Sequence, residues 1–202
     1  TLNGAITRDA DDDIITKDLV PNSLYRKMAA FAIEHKIPFN IVDADSRIIT
    51  ADHNINPIVY LQAYENKATL YVRNPEEIPD DLEIAKGCFV SDSDLLDQWE
   101  DKIRKVFGKD LNVVRDDKNF LELLNPRVSK GNGLKELCQN INISPNEVMA
   151  VGDERNDISM FAFAGTAVCM DNGSAEAKKH ADFITSSNDE DGISKAFNKF
   201  VF

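Results

Sequence analysis

The chain has 202 residues, 43% of them hydrophobic and 29% charged, with a net charge of −12. That is the composition of a globular protein with enough length for one large or two small domains. Its acidic surface repels nucleic acid and anionic membranes, so neither is an expected partner, and no apolar run reaches the length that spans a bilayer.

The three cysteines, Cys88, Cys138 and Cys169, lie far apart in apolar surroundings without C-x-x-C spacing. They read as reduced core residues, which points to a cytoplasmic protein. The three histidines have no zinc-binding spacing. The first residue is Thr1, not Met, so the sequence reads as part of a longer protein.

Thr1 to Ile15 reads as a hairpin. Leu2-Asn3-Gly4-Ala5-Ile6 is strand-like, Asp9 to Asp13 forms the turn, and Ile14-Ile15 begins the return. The acidic run lacks the Gly and the terminal Glu of a calcium loop, with Val20 in the Glu position, and is expected to be a solvated turn. Pro21 to Lys36 follows as an amphipathic helix striped by Leu24, Met28, Phe31 and Ala32. Pro38 to Val42 reads as a strand, Pro57 to Gln62 as a short helix, and Ala68 to Val72 as a strand. A Pro-rich acidic loop, Asn74 to Asp81, leads to a strand over Leu82 to Val90. Asp92 to Phe107 is a second amphipathic helix, with Leu95, Leu96, Trp99, Ile103, Val106 and Phe107 toward the core. Leu111 to Val114 and Phe120 to Leu124 are strands.

From Ser129 onward helices and strands alternate. Leu134, Leu137, Cys138 and Ile141 stripe a helix, and Val148 to Val151 is a short apolar strand. Ile158, Phe161 and Ala164 stripe the next helix. Then come a strand at Ala167 to Met170, a turn at Asp171-Asn172-Gly173, a helix at Ala175 to His180 and a strand at Asp182 to Thr185. A last helix carries Ile193, Ala196, Phe197 and Phe200. Repeated β-α units predict a parallel, Rossmann-like α/β sheet. The α+β segment 16–119 is expected to be inserted into a core made of 1–15 and 120–202.

The chemistry gathers around Val148-Met149-Ala150-Val151-Gly152-Asp153-Glu154-Arg155-Asn156-Asp157. A strand buried on both faces that ends in acidic residues puts them where open α/β sheets hold ligands. Asp153 and Asp157 are spaced to converge there, and converging carboxylates repel unless a cation joins them, which suits Mg²⁺. One helix upstream, Ser129 reads as an N-cap with Lys130 just inside it, beside free backbone N–H groups. A cation is unfavourable at that end of a helix dipole and makes sense there as a grip on an anion such as phosphate. Asn172 reads as an ordinary turn residue with a possible supporting role.

Val128-Ser129-Lys130-Gly131 and Gly152-Asp153-Glu154-Arg155-Asn156-Asp157, in this order, resemble the third and fourth motifs of the haloacid dehalogenase (HAD) superfamily. The run from Phe120-Leu121-Glu122 through Ser186-Ser187-Asn188-Asp189-Glu190-Asp191-Gly192, together with Asn3-Gly4-Ala5, looks like its Cof-type sugar-phosphatase subfamily. The resemblance implies a HAD core (1–15 and 120–202) with an inserted cap domain (16–119). It also implies Mg²⁺-dependent hydrolysis of phosphate monoesters of small metabolites, sugar phosphates among them, through an aspartyl-phosphate intermediate. On that likeness Asp153 ligates Mg²⁺ and Asp157 holds the metal site directly or through water. Asn156 contacts the phosphoryl group, and Lys130 neutralises charge in the transition state. The partner is a small phosphorylated metabolite chosen by cap residues, and the likeness leaves the oligomeric state open.

The family's first two motifs, which carry the nucleophilic Asp and a Ser or Thr, would precede Asn3 and are expected upstream of Thr1. These 202 residues alone are therefore expected to be inactive. Asp43-Ala44-Asp45-Ser46-Arg47 is a possible stand-in for the nucleophile motif, although Arg47 stands where the family has Thr or Val, and Asp92-Ser93-Asp94 reads as a helix cap. The alternatives are a phosphomutase of the same superfamily and a non-catalytic phospho-ligand or magnesium-binding module.

Overall fold

The computed structural model describes the backbone of residues 1–202 and every side chain except that of Asp116. In chain order the elements are β1 (Ile6–Arg8), β2 (Ile14–Lys17), α1 (Asn22–His35), β3 (Phe39–Asp43), β4 (Ile48–Thr50), α2 (Pro57–Glu65), β5 (Leu70–Val72), β6 (Ile84–Val90) and α3 (Ser93–Phe107). They continue with β7 (Asn112–Asp117), β8 (Phe120–Leu124), α4 (Lys130–Asn140), β9 (Met149–Gly152), α5 (Ile158–Phe161), β10 (Thr166–Cys169), α6 (Ala175–Lys179), β11 (Phe183–Ile184) and α7 (Gly192–Phe200). The chain divides into two units. Unit one holds Thr1, Asn3–Lys17 and Val128–Phe202, and unit two holds Leu2 and Asp18–Arg127.

The sheet of unit two has the order β5-β4-β3-β6-β8-β7, antiparallel except for the parallel β4–β5 pair. Period-two alternation sends Phe39, Ile41, Phe89, Leu121 and Leu123 to one face, against Tyr25, Met28, Ala29 and Ala32 of α1 and Leu96, Ile103 and Phe107 of α3. Val42, Ile48, Cys88 and Val90 face the other way and pack on Val59 and Ala63 of α2. β4 was not anticipated: Ile48-Ile49-Thr50 is too short to give a periodic signal of its own and is held as a strand by pairing with β3 and β5. The domain boundary also differs from the sequence expectation of 119/120. β8 fills the interior of this sheet between β6 and β7, so unit two runs to Arg127. Val106, expected on the buried side of α3, is 48% exposed.

Unit one contains a parallel sheet of order β11-β10-β9, with Cys169 opposite Gly152 and Ile184. The carboxyl ends of its strands therefore lie in line at one edge. Ala150, Phe161, Ala167, Cys169 and Ala177 form its core. The β1–β2 hairpin turns through the acidic run, where the Asp9 carboxylate accepts from the backbone N–H groups of Asp11 and Asp13. α4 packs closely here, since a Cβ on Gly133 would lie 3.1 Å from Thr7 Oγ1.

Leu2–Gly4 is a turn rather than the expected strand start, with Asn3 at φ 59° and Gly4 at φ 95°. Asn and Gly are the residues that tolerate this region, and a Cβ on Gly4 would lie 2.2 Å from the Ser129 carbonyl oxygen. On α7 only Ala196 of the expected stripe is fully buried; Ile193, Phe197 and Phe200 are exposed, because the short edge strand β11 offers little surface. Cys88, Cys138 and Cys169 are buried and form no disulfide among the described residues.

Phe89, with no exposed surface, lies at the centre of the larger core of unit two. Phe89→Ala is expected to cost about 3–5 kcal/mol. The check is a urea melt together with amide exchange at Leu121 and Leu123, both of which should lose protection.

Candidate active site

β9 delivers the site. Its short apolar sequence is half-buried beside β10, and at its carboxyl end Gly152 gives way to Asp153 and a 3₁₀ turn over Arg155–Asp157. Gly152 is required sterically. A Cβ there would lie 2.5 Å from Asp157 Cβ and 2.7 Å from its Oδ2. That contact exists because the Asp157 side chain folds back over the strand end. Its Oδ2 accepts from the backbone N–H groups of Asp153 (2.9 Å) and Glu154 (3.0 Å). Glu154 caps the same turn.

The other half of the site comes from α4. Ser129 is its N-cap, as expected, with Oγ accepting from the Asn132 N–H at 3.0 Å. Lys130 Nζ then donates to Asp157 Oδ1 at 2.5 Å. Asp157 is only 3% exposed, and burial by itself pushes its carboxyl upward. The Lys130 hydrogen bond, the N–H groups of Glu154 and Asp153 and the Lys130 charge together outweigh burial and hold it below the usual carboxylate range. Asp157 therefore stays ionised, a buried charge with a donor on each oxygen.

Two first-turn N–H groups of α4, expected to be free beside Lys130, are already used. That of Asn132 goes to Ser129, and that of Gly131 donates to Ser159 Oγ at 2.9 Å. The helix end is thus not an open anion nest, and the positive group available to a ligand is the Lys130 ammonium. Gly131 also allows the close approach: a Cβ there would lie 2.2 Å from the Ser159 carbonyl oxygen.

Asp153 contrasts with Asp157. It is half-buried, and its backbone is fixed by the Ser174 N–H, which donates to its carbonyl at 2.8 Å. Its carboxylate has no hydrogen bond or ion pair among the described residues. Asn156 lies beside this pair, with Nδ2 3.4 Å from Asn3 Oδ1. Asn172 has the ordinary turn role, its Oδ1 accepting from the Asn188 N–H at 2.9 Å.

The donor chemistry can be tested against a magnesium ion. No group of three or more His, Cys, Asp or Glu residues is placed to share a metal among the described residues. Magnesium keeps most of its water and takes only one or two protein carboxylates. One free hard-oxygen ligand, Asp153, on a fixed backbone fits that demand. Asp157 is already committed to Lys130 and the loop.

Asp43 does not have the form of a nucleophile. It ends β3 and is 1% exposed. Its Oδ1 accepts from the N–H groups of Asp45 (3.0 Å) and Arg47 (2.9 Å), and Arg47 Nε donates to Oδ2 at 2.6 Å. It is the lock of the β3–β4 hairpin. Arg47, the residue that departed from the family motif, is what closes that lock. Asp92 is an N-cap as expected, its Oδ1 accepting from the Leu95 N–H at 3.0 Å. Sequence reasoning gave no role to Ser159, whose contact with Gly131 spans 28 residues, and matched Asn3 to the family without placing it beside Asn156. The one local signal was the Gly after Lys130, placed where a helix would ordinarily avoid it.

The family model described as haloacid dehalogenase-like hydrolase matches residues 1–197. YxeH of Bacillus subtilis, provisionally named a phosphatase, is 30% identical over 204 residues, covering 98% of this chain and 74% of YxeH. A protein of Arabidopsis thaliana named "Endoribonuclease YBEY, chloroplastic" is 30% identical over 182 residues, covering 88% of this chain but only 30% of that protein. Among solved structures, a haloacid dehalogenase-like hydrolase from Bacteroides thetaiotaomicron is 31% identical with a TM-score of 0.84, covering 94% of this chain and 70% of that one. The HAD subclass IIB sugar phosphatase BT4131 is 26% identical with a TM-score of 0.81, covering 98% and 73%.

Gly152→Ala is expected to push Asp157 off the loop N–H groups and to lower stability by about 1–3 kcal/mol. Calorimetric melting checks the loss, and the amide resonances of Asp153 and Glu154 should shift with it. Asp43→Asn is expected to destabilise unit two by a similar amount, about 1–3 kcal/mol, without lowering any phosphatase activity of the whole protein. Loss of turnover with the fold intact would return Asp43 to the list of nucleophiles.

Proposed function

Because the chain belongs to the haloacid dehalogenase-like hydrolase family, we propose that it forms the cap and the carboxyl-terminal core of a Mg²⁺-dependent phosphatase acting on small phosphorylated metabolites. The observation that carries this reading is the division of labour between the two aspartates. One is spent on holding Lys130 and its own loop, and the other presents an unengaged carboxylate at a strand end. A site for phosphate monoesters needs a fixed cation for the anionic ligand and a hard-oxygen ligand for a divalent metal.

In this reading Asp153 would hold Mg²⁺, which when bound offsets the negative charge of the phosphoryl group. Lys130 donates from its ammonium to a phosphoryl oxygen and to Asp157 at once. Its charge is set in place before the reaction, where it is worth most as charge develops. Asp157 keeps that ammonium aimed and the loop closed, and Asn156 adds an amide donor beside it. None of Lys130, Asp153, Asn156 and Asp157 has the part of nucleophile in this reading, which gives that part to another carboxylate of the whole protein. That carboxylate takes the phosphoryl group as the ester oxygen leaves with a proton, and water then hydrolyses the aspartyl phosphate. Unit two is the cap, and sugar phosphates are the favoured substrates, a reading supported by the likeness to BT4131.

The test uses the whole protein that carries this chain, with p-nitrophenyl phosphate and Mg²⁺. Hydrolysis is expected, together with its loss on EDTA treatment and its return with added Mg²⁺. Lys130→Ala is expected to lower kcat/KM about 10²–10³-fold, and Asp153→Ala to abolish the response to Mg²⁺. The 202-residue chain alone should show no turnover. Turnover that persists in EDTA, or a Lys130→Ala variant within twofold of the wild type (about 0.4 kcal/mol), contradicts the assignment. Phosphate binding without turnover by the whole protein would favour a binding module.

A further inference from the structure

We propose that Ser159 is a positioning residue that fixes where the Lys130 ammonium meets a phosphoryl oxygen. The proposal rests on the phosphate-binding role given to Lys130 above. Ser159 stands at the start of α5 and uses its hydroxyl in both directions. Its Oγ accepts from the Gly131 N–H at 2.9 Å and donates to the Asn156 carbonyl oxygen at 3.2 Å. The two residues it grips are the immediate neighbours of Lys130 and Asp157, whose side chains meet at 2.5 Å. A single hydroxyl therefore ties together the two backbones that carry the charged pair.

Lysine is a poor locator by itself. Its stem has four rotatable bonds and its ammonium has no preferred plane, so its position must be imposed from outside. Asp157 imposes it at the tip, and Ser159 imposes it at the root. The absence of any gap between Gly131 and Ser159 makes that root rigid, since a Cβ on Gly131 would lie 2.9 Å from Ser159 Cβ and closer still to its carbonyl. Ser159 also withdraws the Gly131 N–H from solvent and ligand, which leaves the ammonium as the anion's partner at this helix end. The ammonium has three protons; one is given to Asp157, and the others remain for a phosphoryl oxygen.

A purely structural hydroxyl would affect stability alone. A positioning hydroxyl acts on phosphate through Lys130, and the two roles separate in a double-mutant cycle. The probe is inorganic phosphate, titrated calorimetrically into the chain with Mg²⁺ present, with thermal melts to confirm folding. Ser159→Ala is expected to weaken phosphate binding about tenfold. Ser159→Thr, which keeps the hydroxyl, should restore most of it, and Ser159→Ala should add nothing in a Lys130→Ala background. Should Ser159→Ala fail to fold, Ser159→Cys replaces it, with the same expectation of weakened binding. Wild-type phosphate affinity in a folded Ala or Cys variant, or losses that simply add to that of Lys130→Ala, overturns the proposal. Absence of phosphate binding in the wild type, or unchanged binding in Lys130→Ala, removes the role of Lys130 itself and the proposal with it.

Discussion

A charge taken out of water must be answered by donors or it destabilises the fold, and in unit one that constraint falls on Asp157. Its carboxylate is nearly sealed, and each oxygen is answered: Oδ1 by the Lys130 ammonium, Oδ2 by the N–H groups of Asp153 and Glu154. Those contacts account for much of the surrounding sequence. Gly152 must lack a side chain because Asp157 occupies the space. The loop closes into a 3₁₀ turn because its N–H groups converge on one acceptor. Lys130 can stand at the unfavourable end of a helix dipole because its counter-ion is already waiting. The Asp153 carboxylate is left without a hydrogen bond or ion pair among the described residues.

The Lys130–Asp157 pair joins two segments far apart in sequence, so its geometry depends on how α4 seats against the β9 loop. Gly131 and Gly133 set that seating from opposite sides, one against Ser159 and the other against Thr7 and Gly4. Small residues do this by absence, letting backbones approach to distances that a side chain would forbid. Hydroxyls then make the contact specific. Ser129 and Ser159 each take an N–H at the start of α4, which turns a general anion-attracting helix end into a frame for one lysine.

Much of this was legible in the sequence. The β-α alternation after Ser129, the N-cap at Ser129 and the acidic loop after a short apolar strand are local patterns, and local patterns survive into structure. The resemblance to HAD motifs named Lys130, Asp153, Asn156 and Asp157, and all four lie on unit one. What was not legible depends on distance. Phe120–Leu124 reads equally well as the start of a core or the middle strand of another sheet, and only its pairing with β6 and β7 decides. The stripe on α7 predicts a buried face, yet burial needs a surface opposite it, and β11 is too short to supply one. The family likeness gave Asp153 and Asp157 different roles, but their spacing alone did not show that Lys130 and the loop N–H groups would engage only Asp157. Two aspartates four residues apart look equivalent until a lysine from another helix chooses one of them.

The central claim is that Lys130 and Asp157 act as one unit on whose coupling the site's geometry depends. The most direct measurement is a double-mutant cycle on stability, with Lys130→Met, Asp157→Asn and the double variant followed by urea denaturation. The account predicts a coupling of about 1 kcal/mol or more, so that the second substitution costs far less once the first is in place. Losses that add to within about 0.3 kcal/mol would mean that the two side chains are merely neighbours, and the assignment of Asp157 as the residue that aims Lys130 would have to be given up.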